Sequence, residues 1–502
     1  MWALSVNAYQ VPKEDPRAPV ELVCENRYVR ATLSTCDGGS IHFARKGDGG
    51  PAVALAAPLS ARGRAVLSAV HEGADEARAF FGGVYGDSGV TWEAQVRLRS
   101  ASASLFLSWK LFNRRIALSE AVPMSLRFPA PTRALAGGIC CILDGSAIVV
   151  ASDERVAGVH VRDDRVLIEA RAPALLPPLR TRVVSCALHL VSVPGDPVAA
   201  NERFVVLRNA DEGKLRVHAA EETPSAKVFL QLESGETVEA PLSAYPERAA
   251  EYALRGLRAQ PNRILIRGEG GETLMDAPMR GRDLDGIRAT VPVEWEQWDE
   301  LPLARGMCLL AEGRQAEAEK LLLAATHAPG LEHAAWFALG LSAMRSERWL
   351  LAGADFEESL LYCGSNPLAW WLKNWSLRRA GVEDENDLPN AHFLAPLDPC
   401  LRAEAFLSGG GEKVLEEFGT DPVPFLEVAD VLWWGGQEPE RQAVLAAGAE
   451  QTHDALLHRL RAIGLRRKGL ELEAAEEQRK VEAAQSSEEP RRVSELIELE
   501  IP

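Results

Sequence analysis

The chain has 502 residues, 47% of them hydrophobic and 25% charged, with a formal net charge of −17 and a pI near 5.2. That length exceeds what one hydrophobic core spans and implies several domains. The acidic balance, without a basic run, argues against nucleic acid and anionic membrane as partners, because each phosphate contact needs a Lys or Arg.

From residue 20 to 200, short apolar runs alternate with Gly, Pro, Asp and Asn. The runs Val20–Val23, Tyr28–Leu33, Val90–Leu98, Ser104–Phe112, Ile139–Leu143, Ala147–Ala151 and Val183–Val193 predict strands. Thr91 to Leu98 alternates apolar and polar, as a half-buried antiparallel strand does. Cys140 to Val150 predicts a hairpin turning at Asp144-Gly145. So many strands predict a large β-sandwich over residues 1–200. Beyond the polar break at Asn209–Gly213, the runs Leu215–His218, Ala226–Leu232, Thr237–Leu242 and Arg263–Arg267 predict a small immunoglobulin-like sandwich over 201–290.

Helical periodicity takes over at Glu294 and defines a third region, 291–490, followed by a tail, 491–502. Helices are predicted over 294–310, 314–327, 332–346 and 349–363, with another from Pro367 to Arg379. Beyond the acidic break at 382–387, further helices are predicted over 399–407, 411–418, 423–434, 438–449, 452–468 and 470–485. Gly306 and Gly340, Ala318 and Ala352, and Leu322 and Phe356 are each 34 residues apart, the period of a tetratricopeptide (TPR) repeat. Trp336, Leu339, Gly340, Ala352 and Phe356 stand at the repeat's core spacings. Small residues there let two helices approach, and the large ones fill the seam. The pattern predicts a TPR-like α-solenoid that takes a protein partner.

Eight cysteines are scattered without C-x-x-C spacing or clustering with histidine. They predict small buried hydrophobes in a reducing compartment, and neither a metal site nor a cofactor. Met1 to Asn7 shows no basic segment leading into a long apolar one, and no apolar stretch reaches membrane length, so a cytoplasmic location is expected. The glycine pairs form neither a P-loop nor a dinucleotide fingerprint.

Three segments carry a family resemblance. Val23 to Leu33 with Gly38-Gly39-Ser40-Ile41-His42, the strand ending Trp109-Lys110-Leu111-Phe112-Asn113-Arg114, and the helical part with Pro396-Leu397-Asp398-Pro399 and Phe425-Leu426-Glu427-Val428-Ala429 resemble a bacterial domain-of-unknown-function family. That resemblance implies a galactose-mutarotase-like β-supersandwich followed by TPR repeats. It also implies a carbohydrate as a further candidate ligand. The family's aromatic, histidine-rich pocket segment corresponds to Leu55–Tyr85, which holds only His71 and no tryptophan.

Mutarotase-like chemistry needs an acid and a base on one sheet face, and glycoside hydrolysis needs two flanking carboxyl groups. The candidates are His42, His71, Glu72, Glu93, His160 and His189, with His42 and Glu93 as the working pair of a sugar epimerase or glycoside hydrolase. The plain alternative for His42 is a partly exposed strand histidine, and for His189 a satisfied core residue. Nine of the twelve tryptophans lie from Trp295 onward. Neighbours in Trp370-Trp371 and Trp433-Trp434 point about 100° apart on a helix, so one of each pair is free to face a groove or another domain. These four are the candidate binding residues. The leading expectation is a non-catalytic binding scaffold, with the carbohydrate-active enzyme as its alternative.

Overall fold

The strand Val90–Arg99 alternates buried and half-buried side chains along its whole length, the pattern of a strand with a core on one side and partial cover on the other. It belongs to the computed structural model described here, which covers Val6 to Gln485 apart from residues 12–19, 35–39, 47–52, 57–66, 86–89, 121–123, 128–131, 144–145, 153–156, 163–164, 171–174, 192–194, 280–297, 383–387, 411–414, 416–417 and 420.

Two eight-stranded antiparallel sheets form the first region. The first sheet runs from Asn7–Gln10 through Glu21–Glu25, Val29–Ser34, Ser40–Arg45 and Val53–Ala56 to Met124–Arg127, Arg165–Ala170 and Ala157–Arg162. The second runs from Thr132–Leu135 through Gly138–Leu143, Ser146–Ala151, Thr181–Val191, Ser104–Asn113, Val90–Arg99 and Glu76–Tyr85 to Leu67–Glu72. They pack face to face: Leu33, Ile41 and Phe43 of the first share a core with Phe81, Trp92 and Trp109 of the second. Trp92 and Trp109 stack with centroids 5.1 Å apart, and Phe81 meets Trp92 edge-on at 5.9 Å. The predicted hairpin pairs Gly138–Leu143 with Ser146–Ala151, and its turn lies outside the described residues.

The small sandwich has two four-stranded antiparallel sheets around Phe204, Val217, Val228, Leu242 and Ile264. Its first strand, Asp196–Ala200, pairs with Phe204–Asn209, so the unit starts before residue 201. Gly137 marks its seam with the second sheet. It has φ +83°, and a Cβ there would lie 2.0 Å from the Ala200 carbonyl oxygen, a conformation and an approach that only glycine accepts.

Eleven helices follow among the described residues: α1 Pro302–Ala311, α2 Gln315–Ala325, α3 Glu332–Arg345, α4 Trp349–Tyr362, α5 Pro367–Arg379, α6 Leu388–Leu394, α7 Pro399–Ala405, α8 Val423–Trp434, α9 Glu438–Thr452, α10 Ala455–Arg467 and α11 Glu471–Gln485. α1 begins later than its periodicity suggests because Pro302 sets its first turn. The helix expected over 411–418 falls mostly outside the described residues, and α6 was not foreseen.

The 34-residue period has the packing meaning expected of it. A Cβ on Gly340 would meet the Phe356 ring at 2.6 Å, and one on Gly306 would meet Leu322 at 2.8 Å. The pair α8–α9 repeats the device in mirror order, Gly448 of its second helix lying against Phe425 of its first. Trp336 and Leu339 are half-buried rather than central. One turn position away, the buried Phe337 fills that seam, with its ring 5.3 Å from Phe356. Asn374, a polar residue at an apolar repeat position, is buried and donates to the Trp370 carbonyl at 2.9 Å, a bond back along its own helix.

Candidate functional site

The outer face of the second sheet carries Glu93, one of the candidate working groups, and α6 and α7 lie across it. Lys110 donates to the Leu394 carbonyl, Arg402 donates to the Ser68 carbonyl at 3.1 Å, and the Arg78 guanidinium sits 5.7 Å from the centre of the Phe393 ring. Gly82 lets the chain come close: a Cβ there would be 3.0 Å from the Leu397 side chain. Glu93, opposite Gly82 in the sheet, accepts the Leu397 backbone N–H. Burial pushes its carboxyl above the usual range, with Lys110 pulling the other way. The face is filled.

His42 is exposed on the first sheet, between the buried Ile41 and Phe43. Alternation directs it to that sheet's outer face, on the far side of the shared core from Glu93. The structure does not bring the pair together, because the whole thickness of the sandwich separates them. His71 and Glu72 are exposed on the edge strand Leu67–Glu72. His160 lies on the strand Ala157–Arg162 of the first sheet, and its side chain is outside the described residues. His189 is a satisfied core residue: Nδ1 meets the Ser104 hydroxyl at 2.6 Å and Nε2 the Asn201 carbonyl at 2.8 Å. Burial lowers its pKa to about 4, so it is neutral at pH 7.

A polar cluster closes the seam between the second sheet and the helices. Asn113 is fully buried at a strand end. Its amide donates to the carbonyls of Ala117, Leu176 and Pro177 at 2.6–3.1 Å, and its oxygen accepts from the Arg115 N–H and the Ser119 hydroxyl at 3.0 and 3.1 Å. That turn sends the Arg114 side chain, 2% exposed, into the helices. Its guanidinium pairs with Asp398, lies 3.0 Å from Glu427 and donates to the Cys400 sulfur at 2.9 Å. The other oxygen of Asp398 caps α7, accepting from Cys400 and Leu401 N–H groups at 2.9 and 3.3 Å. Burial alone would discourage the Arg114 charge, but Asp398, Cys400 and Glu427 override it and raise its pKa. Burial also pushes the Glu427 carboxyl up, against Arg114 and Arg115.

Beside this cluster lies a pocket of about 250 Å³ between the turn Arg114–Ala117 and the helices α1, α3, α5, α8, α9 and α10. Its wall is mostly apolar and includes Phe337, Leu341, Leu426, Trp433, Trp434 and Leu460. Its polar groups are Arg114, Arg115, Asp430 and Arg441. Burial and the Glu427 charge push the Asp430 carboxyl up to about 7, with Arg115, Arg114 and Arg441 pulling the other way.

The candidate tryptophans divide. Trp433 and Trp434 both line the pocket, edge to face at 4.7 Å, with the Arg345 guanidinium 5.4 Å from the Trp433 ring. Trp371 is completely buried, with its indole N–H on Glu404, and is closed to any ligand. Trp370 is half-buried and donates to the Gly364 carbonyl at 2.9 Å. Asp430 escaped the sequence reading although it left a signal, a single acidic residue inside the apolar run Val428–Trp434.

Among the described residues no cluster of three or more His, Cys, Asp and Glu could hold a metal ion, and no helix is long and apolar enough to cross a membrane. No family model and no curated protein sequence matches the chain. Solved structures similar to it include a TPR-domain containing protein from Parabacteroides distasonis, at 13% identity over 95% of this chain and 89% of that one, with a TM-score of 0.30. The C-terminal part of a TPR repeat-containing protein from Cytophaga hutchinsonii is similar at 12% identity over 36% of this chain and 78% of that one, TM-score 0.21. MamA from Desulfovibrio magneticus is similar at 14% identity over 39% and 98%, TM-score 0.19.

Proposed function

We propose that this protein is a non-catalytic binding scaffold, in which a galactose-mutarotase-like sandwich is coupled to a TPR-like solenoid that holds a protein partner. One observation carries the reading. The outer face of the second sheet is occupied by α6 and α7, and the candidate carboxylate on it, Glu93, is engaged by Leu397. A face spent on internal packing has no room for a sugar. Nothing in the placement of His42 and Glu93 favours the enzyme alternative.

The solenoid face lined by α1, α3 and α8 is turned toward the sandwich, so the partner reads the outward side. On α4, Leu350, Leu351 and Leu361 are exposed, Leu361 to 74%. Leu350 and Leu361 share one helical face, and apolar exposure of this kind marks protein-interaction surfaces.

The test uses the purified full chain in two assays. It should retain one protein from a cell extract saturably, and the double variant Leu350→Glu/Leu361→Glu should lose that retention while melting at the same temperature. In parallel, aryl glycosides and anomeric galactose should show no turnover. Turnover that disappears in Glu93→Gln would overturn the proposal.

A further inference from the structure

The pocket beside Arg114 is lined by two oppositely charged side chains, Asp430 and Arg115, that act on each other through charge. Arg114 is matched by Asp398 and Glu427, and Arg441 by Glu438 at 3.2 Å. Asp430 and Arg115 both line the pocket, both are half-buried, and the Arg115 charge opposes the rise of the Asp430 pKa. A carboxyl and a guanidinium that share a mostly apolar cavity and stay partly open to solvent can both be reached by a ligand. They are also complementary to a ligand carrying an ammonium and a carboxylate close together.

The rest of the cavity sets the ligand's third property. Phe337, Leu341, Leu426, Trp433, Trp434 and Leu460 make a mostly apolar wall. The volume, about 250 Å³, lies below the roughly 300–1,000 Å³ of drug-sized sites. A single aromatic or branched aliphatic side chain with its backbone groups fits such a space, and a disaccharide or a peptide segment does not. The geometry points to a binding site for a free, apolar α-amino acid, with its ammonium on Asp430, its carboxylate on Arg115 and its side chain between Trp434 and the leucines. A guanidinium suits the carboxylate because it offers two parallel N–H donors. This site is separate from the α4 surface, and neither proposal stands or falls with the other.

The charged groups that face Asp430 are Glu427 from its own helix, Arg114 and Arg115 from the strand-end turn, and Arg441 from α9. With its carboxyl pushed up to about 7, Asp430 is half protonated in the empty pocket at neutral pH. Capture of an ammonium group therefore releases a proton, and affinity falls as pH drops below 7.

Calorimetry on the full chain tests this with four probes: L-phenylalanine, 2-phenylethylamine, 3-phenylpropionate and N-acetyl-L-phenylalanine. L-phenylalanine should bind about tenfold or more tightly than the three that lack one charge, since a hydrogen bond to a charged group is worth about that factor. Asp430→Asn and Arg115→Gln should each weaken it by a similar factor, and Asp430→Asn should abolish the proton release seen across buffers of different ionisation enthalpy. Neither side chain ties the fold together, so both variants should keep the parent melting temperature. Equal binding of phenylalanine and its single-charge analogues overturns the proposal. So does no binding of phenylalanine or leucine at millimolar concentration, or binding indifferent to both variants.

Discussion

The large sandwich has two outer faces, and among the described residues the helices are seen to cover the second sheet's. On the first sheet, Glu21, Arg30 and His42 stand out into solvent, opposite the buried Leu22, Ala31 and Ile41. On the second sheet the outward residues Glu93 and Lys110 are held by Leu397, between α6 and α7, and by Leu394 at the end of α6. Both faces were built by the same two-residue alternation, so alternation alone could not say which was covered. The difference lies in what happens to charge. An open face leaves its ionisable groups to water, whereas a covered face must supply each with a partner or shift its protonation.

The largest consequence is expected at Arg114, where the covered face meets the helices. Arg114→Ala leaves Asp398 and Glu427 as buried carboxylates without their cation, and removing one partner of such a cluster typically costs about 3–5 kcal/mol. In thermal denaturation of the full chain the helical part should then unfold at a lower temperature than the sandwich, whereas the parent should unfold in one coupled transition. A loss below about 1 kcal/mol would mean that the cluster behaves like a surface ion pair and that the seam is held by apolar packing alone.

That cluster also marks where the sequence stopped being readable. Strand positions such as Val90–Arg99 were legible because burial imposes a two-residue period, and α1 to α4 because helix pairs impose a 34-residue one. The small error at Trp336 arose because a repeat pattern names positions and not depths: the neighbouring Phe337 fills the seam instead. α6 was missed because seven residues carry too little periodicity to stand out beside an acidic run. Arg114, Asp398 and Glu427 each sat in a segment noted for its family resemblance, yet their meeting left no trace, because contacts across some 300 residues of chain impose no local pattern. The separation of His42 from Glu93 was illegible for the same reason, since residue type was visible and sheet membership was not.

Close approach gives a second way to break the comparison. Gly82→Val on the covered face places a Cβ 2.6 Å from the Trp92 carbonyl oxygen and 3.0 Å from Leu397. Overpacking of that kind costs about 1–3 kcal/mol. It should lower the denaturation midpoint and expose the segment between α6 and α7 to limited proteolysis. If cleavage there is unchanged, the helices do not press on this face as closely as the geometry requires.

Protonation sharpens the contrast further. Because burial raises the folded pKa of Glu93 above its unfolded value, the folded chain holds a proton there that the unfolded chain has lost. Stability therefore falls as pH rises from the ordinary glutamate range through the raised value, and it is recovered on acidification across the same window. Glu93→Gln removes that slope while leaving an oxygen for the Leu397 N–H. The variant should match the parent at the acidic end of the window and exceed it at pH 8, in denaturant midpoints taken across the range. A variant that loses stability at pH 8 would show that the Lys110 charge outweighs burial at this position.

The smallest effect should come from the open face. His42→Ala removes an exposed imidazole whose cross-strand neighbours are Thr32 and Ala54, and a surface substitution of this type stays within about ±0.5 kcal/mol. The measurement is worth making because it separates two reasons for a histidine at this position. If the first sheet's outer face is simply solvated, then stability and the retention of any protein partner are both unchanged. A change in partner retention without a change in stability would make this face, rather than α4, the surface that the partner reads. The two faces of the sandwich would then differ in role as well as in cover, one built into the molecule and the other turned to its surroundings.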